Sequence, residues 1–189
     1  DLLISDDGLQ HYPLARDMEI VMLDTGTGFA SGMCLPAGPL RDPPARAAEA
    51  DFVLHRGDPD PDRGVCYRAE ALVNVVTGER WSADAARTGI PVHAVAGLGQ
   101  PGYFLSMLAE LGFDAEPHLF PDHHAYTPAD LAGLADRPII MTEKDAVKCA
   151  GFAGEDAWYL QVSACLPAKV TEAVAALALP PVSPTPARE

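Results

Sequence analysis

The acids of Ser5-Asp6-Asp7-Gly8-Leu9-Gln10-His11 follow the apolar run Leu2-Leu3-Ile4, which reads as a buried strand. In open α/β sheets, ligands bind beyond the carboxyl ends of the strands. A carboxylate there can hold Mg2+, directly or through water, because Mg2+ takes oxygen ligands and keeps several waters. Asp6 and Asp7 are therefore candidate metal ligands. The competing reading is a plain Asp-Gly turn. Gln10 and His11 place further polar groups on the same short segment and favour a site.

Four other stretches carry possible chemistry. Pro121-Asp122-His123-His124-Ala125-Tyr126-Thr127-Pro128 lies between an expected strand and an expected helix. An imidazole there can orient a carboxylate base or donate to phosphate. A surface loop with helix-start residues accounts for Thr127, but not for two histidines beside an acid and a tyrosine. In Thr142-Glu143-Lys144-Asp145, backbone N–H groups and Lys144 could favour an anion. On spacing alone, an N-capped helix with acids in its first turn is preferred. Leu35-Pro36-Ala37-Gly38-Pro39-Leu40-Arg41-Asp42 offers Arg41 for a phosphate or sugar substituent and Asp42 for metal-bound water, or is a rigid proline turn. Gly97-Leu98-Gly99-Gln100-Pro101 lacks the third glycine of a dinucleotide fingerprint and reads as a tight turn. No Gly-x-x-x-x-Gly-Lys-Ser/Thr occurs, so these residues include Mg2+-type acids but no cradle for ATP phosphates.

Alternating strands and helices must position these groups. Strands are expected at 1–5, 19–24 and 51–55, with a long Gly/Pro loop at 25–40 and a helix at 43–50. The β-rich stretches 65–68 and 71–76 precede a turn at 77–80, and Trp81 begins a returning strand. A second run follows, with strands at 92–96, 115–120, 138–141 and 158–162. Its helices are expected at 101–111, after Thr127-Pro128, after Thr142, and at 167–179. This order predicts an α/β protein with a parallel sheet. The tail 180–189 holds four prolines and reads as disordered.

With 189 residues the chain can form one domain or two small lobes. A formal charge of −14 argues against a nucleic-acid partner. The four cysteines show no paired spacing and read as reduced thiols. No apolar run reaches the roughly 18 residues of a spanning helix. A chain that opens on a core strand without a lead-in suggests truncation inside a fold.

Taken in order, the five stretches resemble the tetraacyldisaccharide 4′-kinase (lipid A 4′-kinase) family. The matching residues are Ser5 to His11, Leu35 to Arg41, Val95 to Gly99, Phe120 to His124 with Tyr126-Thr127, and Met141 to Lys148. The resemblance implies transfer of the ATP γ-phosphoryl group to the 4′-hydroxyl of a tetraacyldisaccharide 1-phosphate, with Mg2+. It implies a monomer acting peripherally at the cytoplasmic face of the bacterial inner membrane. The family's phosphate-binding loop, membrane-contacting helix and proposed base all lie upstream of Asp1.

The implied fold is a P-loop NTPase-like sheet lobe with a second, smaller α/β lobe. The corresponding segments are 1–64 for a remnant of the kinase lobe, 65–88 for a β-hairpin hinge, 89–179 for the smaller lobe and 180–189 for the tail. Asp6 and Asp7 match the acids near Mg2+ and substrate. Gln10, His11 and Arg41 match substrate-facing residues. Asp42 stands where the family usually has glutamate, on a shorter arm. His123 and His124 match a histidine pair of which one supports the base, with His123 preferred. Thr142 and Lys144 are candidates near the nucleotide. The fragment is expected to be inactive alone. The alternatives are a metal-dependent phosphoesterase of the Asp-His-His type, and a non-catalytic binding module. The absence of a later Gly-Gly-Gly-His weighs against the phosphoesterase.

Overall fold

Short apolar runs closed by charge make the first strands. Ile20–Asp24 forms β1 and Phe52–Arg56 forms β2, paired in parallel with Ile20 opposite Phe52 and Asp24 opposite Arg56. The last pair is also an ion pair, with Arg56 donating to the Asp24 carboxylate at 2.9 and 2.7 Å. The computed structural model describes residues 3–83 and 89–177. It divides into two units, one running to Cys66 and resuming at Ala164, the other Tyr67–Ser163.

In the first unit, β2 also pairs in parallel with the start of β3 (Gly64–Asn74). The core is Leu54, Val65 and Val170, with Phe52 and Val174 packed against it. Val170 and Val174 come from α4 (Ala168–Leu177), so the end of the chain completes the core of its beginning.

The second unit holds the rest of β3, antiparallel to β4 (Arg80–Ser82). β5 (Ile90–Ala96) lies between β6 (Phe113–Leu119) and β7 (Ile139–Thr142), and β7 pairs with β8 (Ala157–Cys165). All these pairs are parallel. The helices are α1 (Gly102–Glu110), α2 (Pro128–Leu131) and α3 (Glu143–Cys149). The alternation of β5 feeds two cores. Val92, Ala94 and Ala96 join Phe104 and Leu108 of α1. Val95 joins Tyr126, Leu131, Met141, Ala146 and Cys149.

The strand expected at 1–5 is not present where the chain is described. Leu3 and Ile4 are 84% and 82% exposed and irregular. Among the described residues no strand pairs with them, and an unpaired strand has no ladder to hold it. The helix expected at 43–50 is a single 3-10 segment, Pro44–Glu49, closed by Ala50 N–H to the Ala47 carbonyl at 3.2 Å. The stretches 65–68 and 71–76 fuse into β3, because Ala69 and Glu70 continue the ladder. Residues 84–88 of the expected hinge and the tail 180–189 lie outside the described residues. Among the described residues no helix is long and apolar enough to cross a membrane.

Leu108 is fully buried between α1 and the sheet. Leu108→Ala is expected to lower stability by about 3 kcal/mol, the cost of lost burial plus a cavity. Urea denaturation of the two proteins measures it.

Candidate active-site clusters at the strand ends

In the first unit, four of the expected site residues converge. Arg41 Nη1 lies 2.7 Å from the Asp7 carboxylate. Gln10 Nε2 donates to Asp42 Oδ2 at 2.6 Å, and the Tyr12 hydroxyl donates to Asp42 Oδ1 at 2.7 Å. These hydrogen bonds, Tyr12 first and Gln10 second, hold the Asp42 carboxyl below the usual carboxylate range. The same bond pushes the Tyr12 hydroxyl up. A pocket of about 220 Å³ is lined by Asp7, Gln10, Arg41 and Asp42 on its polar side and by Val21 and Phe29 among its apolar residues. Gln10 Oε1 is buried and has no hydrogen-bond partner among the described residues.

A second layer of charge fixes this geometry. Arg16 donates to the carbonyls of Gly8 and His11, each at 2.8 Å, and so clamps the Asp-Asp-Gly turn. Arg16 also pairs with Glu19. Arg46 donates to both Glu19 oxygens at 2.8 Å. These bonds, Arg46 before Arg16, hold the Glu19 carboxyl low. Asp7 itself sits at φ +50°, a left-handed conformation of the kind acids tolerate in turns. The loop bearing Arg41 turns at Gly38, where a Cβ would meet the Met33 carbonyl oxygen at 2.3 Å. The Asp6 and His11 side chains are exposed.

In the second unit, three carboxyl-terminal strand ends meet at one buried carboxylate. Asp145, 0% exposed, accepts from Gly97 N–H at 2.9 Å, after β5. It accepts from the Thr142 hydroxyl at 2.7 Å, at the end of β7, and from Lys148 Nζ at 3.1 Å. The ring of Tyr126, in the loop after β6, lies 5.1 Å from that of Phe120 and 4.9 Å from that of His124. Burial, then the Asp145 charge, pushes the Tyr126 hydroxyl far up. Burial pushes the Cys149 thiol up to about 11. Gly97 cannot be larger: a Cβ there would sit 2.9 Å from the Tyr126 hydroxyl and 3.2 Å from Asp145 Oδ1.

The two histidines diverge. His124 stacks on Phe120 at 4.6 Å, with Nε2 3.4 Å from the Asp130 carboxylate. His123 is 82% exposed, at φ +60°. Lys144 reaches Asp122 at 2.9 Å, and this contact is the main reason the Asp122 carboxyl is held low. Thr142 is committed to Asp145 both as donor and as the acceptor that caps α3, receiving Asp145 N–H at 3.2 Å.

Sequence reading passed over Tyr12, the Arg16–Glu19–Arg46 frame and the buried role of Asp145. Tyr12 directly follows the recognised segment, and its signal was that adjacency. Asp145 carried a signal as an acid three residues after a threonine cap, but that pattern reads equally as a surface cap. Glu19 and Arg46 are 27 residues apart and had none.

The fold class is supplied by a solved structure. The crystal structure of the "apo" form of LpxK from Aquifex aeolicus in complex with ATP matches with a TM-score of 0.56 and 23% identity, over 90% of this chain and 55% of that one. The chain thus shares the α/β fold of that protein. The model of the LpxK family, tetraacyldisaccharide-1-P 4′-kinase, matches residues 1–178. The tetraacyldisaccharide 4′-kinase of Pseudomonas aeruginosa is 50% identical over 167 residues, and that of Azotobacter vinelandii 49% over 167. Each match covers 87% of this chain and 50% of the relative. The chain belongs to the tetraacyldisaccharide-1-P 4′-kinase family, and it spans about half the length of the curated relatives it matches.

Two outcomes follow from the carboxylate geometry. The Glu19 pKa is depressed below its ordinary 4.5, so its pairing stabilises fully above that pH and the gain is lost as pH falls through the folded value. Glu19→Gln is therefore expected to lower stability at neutral pH and to flatten the acid side of a stability-versus-pH curve measured by urea titration. Asp145→Ala leaves buried donors unpaired and is expected to cost about 3 kcal/mol. It should also expose Cys149, which in the parent protein should react with a thiol reagent only on unfolding, whereas the exposed Cys66 reacts at once.

Proposed function

We propose that this chain is part of a kinase of lipid A biosynthesis that moves the γ-phosphoryl group of ATP onto the 4′-hydroxyl of a tetraacyldisaccharide 1-phosphate. The observation that carries the reading is the convergence of Asp7, Gln10, Arg41 and Asp42 on one pocket in a chain matched by the family over residues 1–178. The ATP in the Aquifex aeolicus complex supports ATP as the donor. The relatives' name supports the acceptor. They leave the phosphoesterase and binding-module readings without support.

Phosphoryl transfer needs positioning and charge neutralisation more than covalent chemistry from the protein. Arg41 is more than half exposed and can exchange Asp7 for a phosphate oxygen without a buried rearrangement. Gln10 Oε1 is an unsatisfied acceptor, suited to a sugar hydroxyl. Asp42 has a shorter arm than glutamate, and Tyr12 and Gln10 fix where its charge lies. The Asp6 carboxylate is exposed and makes no hydrogen bond or ion pair with a described residue, so it and Asp7 offer the hard oxygens that suit Mg2+. Bound there, Mg2+ would offset phosphate charge.

His123 is the member of the pair free to orient a base supplied upstream, while His124 serves packing. Thr142 and Lys144, the candidates for contact with the nucleotide, sit where β7 passes into α3 and hold Asp145 and Asp122 there. Because its acceptor is a lipid, we assign the reaction to the inner-membrane surface, membrane contact to a part outside this chain and the monomeric state to the whole protein.

The test joins this chain to an upstream half that supplies a phosphate-binding loop and follows 32P transfer from ATP. His123→Ala is expected to lose at least about tenfold in turnover, within the 10²–10⁴ range of acid–base assistance. Arg41→Ala should raise KM for the lipid. Undiminished turnover in His123→Ala together with an unchanged lipid KM in Arg41→Ala rejects the assignment, and Mn2+-dependent phosphodiester hydrolysis in place of transfer would restore the phosphoesterase.

A further inference from the structure

Away from both clusters, on the Val95 side of β5, the second unit gathers two imidazoles and three charged groups. His93 of β5 stands opposite Glu116 of β6, and Val95 opposite His118, so the parallel register brings both histidines and the acid to one face. His118 Nε2 is 3.0 Å from His93 Nδ1, and Glu116 Oε2 is 3.9 Å from the same Nδ1. One ligand atom from each of the three lies within 4.8 Å of the others. His93 is 4% exposed, a rare setting for an imidazole in a strand whose other inward residues are apolar. Its second nitrogen, Nε2, is 2.8 Å from Asp136 Oδ1.

We propose that His93, His118 and Glu116 form a binding site for a divalent transition metal of the zinc class, with Asp136 as the carboxylate that orients His93. Two features separate this from an ordinary histidine hydrogen bond. The first is the spacing. Two nitrogens bound tetrahedrally at 2.0–2.1 Å stand about 3.3 Å apart, so the pair needs only a few tenths of an ångström to admit the ion. The second is the outer carboxylate. A metal-bound histidine usually donates its other N–H to such a group, which fixes the tautomer that leaves Nδ1 unprotonated. Without metal, one proton bridges the two facing nitrogens. On binding, the ion would take that place and the His118 proton would move to the Nδ1 of its own ring, leaving both facing nitrogens unprotonated. Two nitrogens and one carboxylate suit Zn2+, Co2+ or Ni2+ and not Mg2+, so the site is chemically separate from any Mg2+–ATP requirement.

One group opposes binding. Arg137 pairs with Glu116 at 3.0 Å and with Asp136 at 3.2 Å. It must release Glu116 for the third ligand to close, and its charge works against the cation. The site would couple β5 to β6 just before their carboxyl ends, which continue into Gly97 and the Asp122-His123-His124 loop.

Titration of the metal-free chain with ZnCl2 by calorimetry, and with Co2+ by its visible spectrum, tests the site. One ion per chain is expected, with no competition from excess Mg2+, and with a thermal midpoint that rises with Zn2+. Glu116→Gln, at an exposed position, and His118→Gln should each weaken binding at least about tenfold, and Asp136→Asn should weaken it about 10–100-fold. Arg137→Gln should tighten it, which a purely structural role for the cluster does not predict. Cys66→Ser and His55→Ala should leave it unchanged. No saturable binding by the parent chain overturns the proposal, as does binding that survives the His93→Gln/His118→Gln double variant or Glu116→Gln.

Discussion

The Asp145 carboxylate is the interaction on which the second unit most depends. A charge with no solvent contact is tolerated only when hydrogen bonds and a counter-charge replace water. Here a backbone N–H, a hydroxyl and a lysine do so, and each comes from a different place in the fold. Gly97 follows β5, Thr142 ends β7, and Lys148 lies a turn further along α3. The carboxylate therefore ties the end of β5 to the end of β7. Burial first, and its field second, keep Tyr126 and Cys149 in their neutral forms.

The first unit uses the same device with weaker burial. Glu19 holds Arg16 and Arg46, and Arg16 in turn holds the carbonyls of the Asp-Asp-Gly turn. The groups with chemical potential, Asp6, Asp7 and Arg41, stay exposed and movable. The groups that aim them are recessed and fully paired. An acid-supported frame behind an exposed reactive edge is thus common to both units.

Much of the fold was legible in sequence because its strands are apolar runs bounded by charge or turns. β1, β2, β5 and β7 carry that pattern, and Trp81 correctly marked a returning strand. The failures have local causes. Leu2-Leu3-Ile4 has a strand's composition, but hydropathy cannot show whether a partner strand is present. The break read between Arg68 and Ala71 was polar patterning on a half-exposed strand. Of the candidate site, the segment from Asp6 to His11 and the loop bearing Arg41 and Asp42 could be named one by one. Their convergence through Gln10 and Tyr12 could not, because it joins positions some thirty residues apart.

The core of the first unit needs Val170 beside Leu54 and Val65. The second unit, by contrast, is one uninterrupted stretch, Tyr67–Ser163. A ribosome making this chain therefore releases all of the second unit before the helix that seals the first. Domains generally fold as units during synthesis, so the later-encoded unit can fold first here. Until α4 emerges, Leu54 and Val65 remain uncovered on the nascent chain. That interval, and not the finished protein, is when the Asp-Asp-Gly segment stands on an incomplete support.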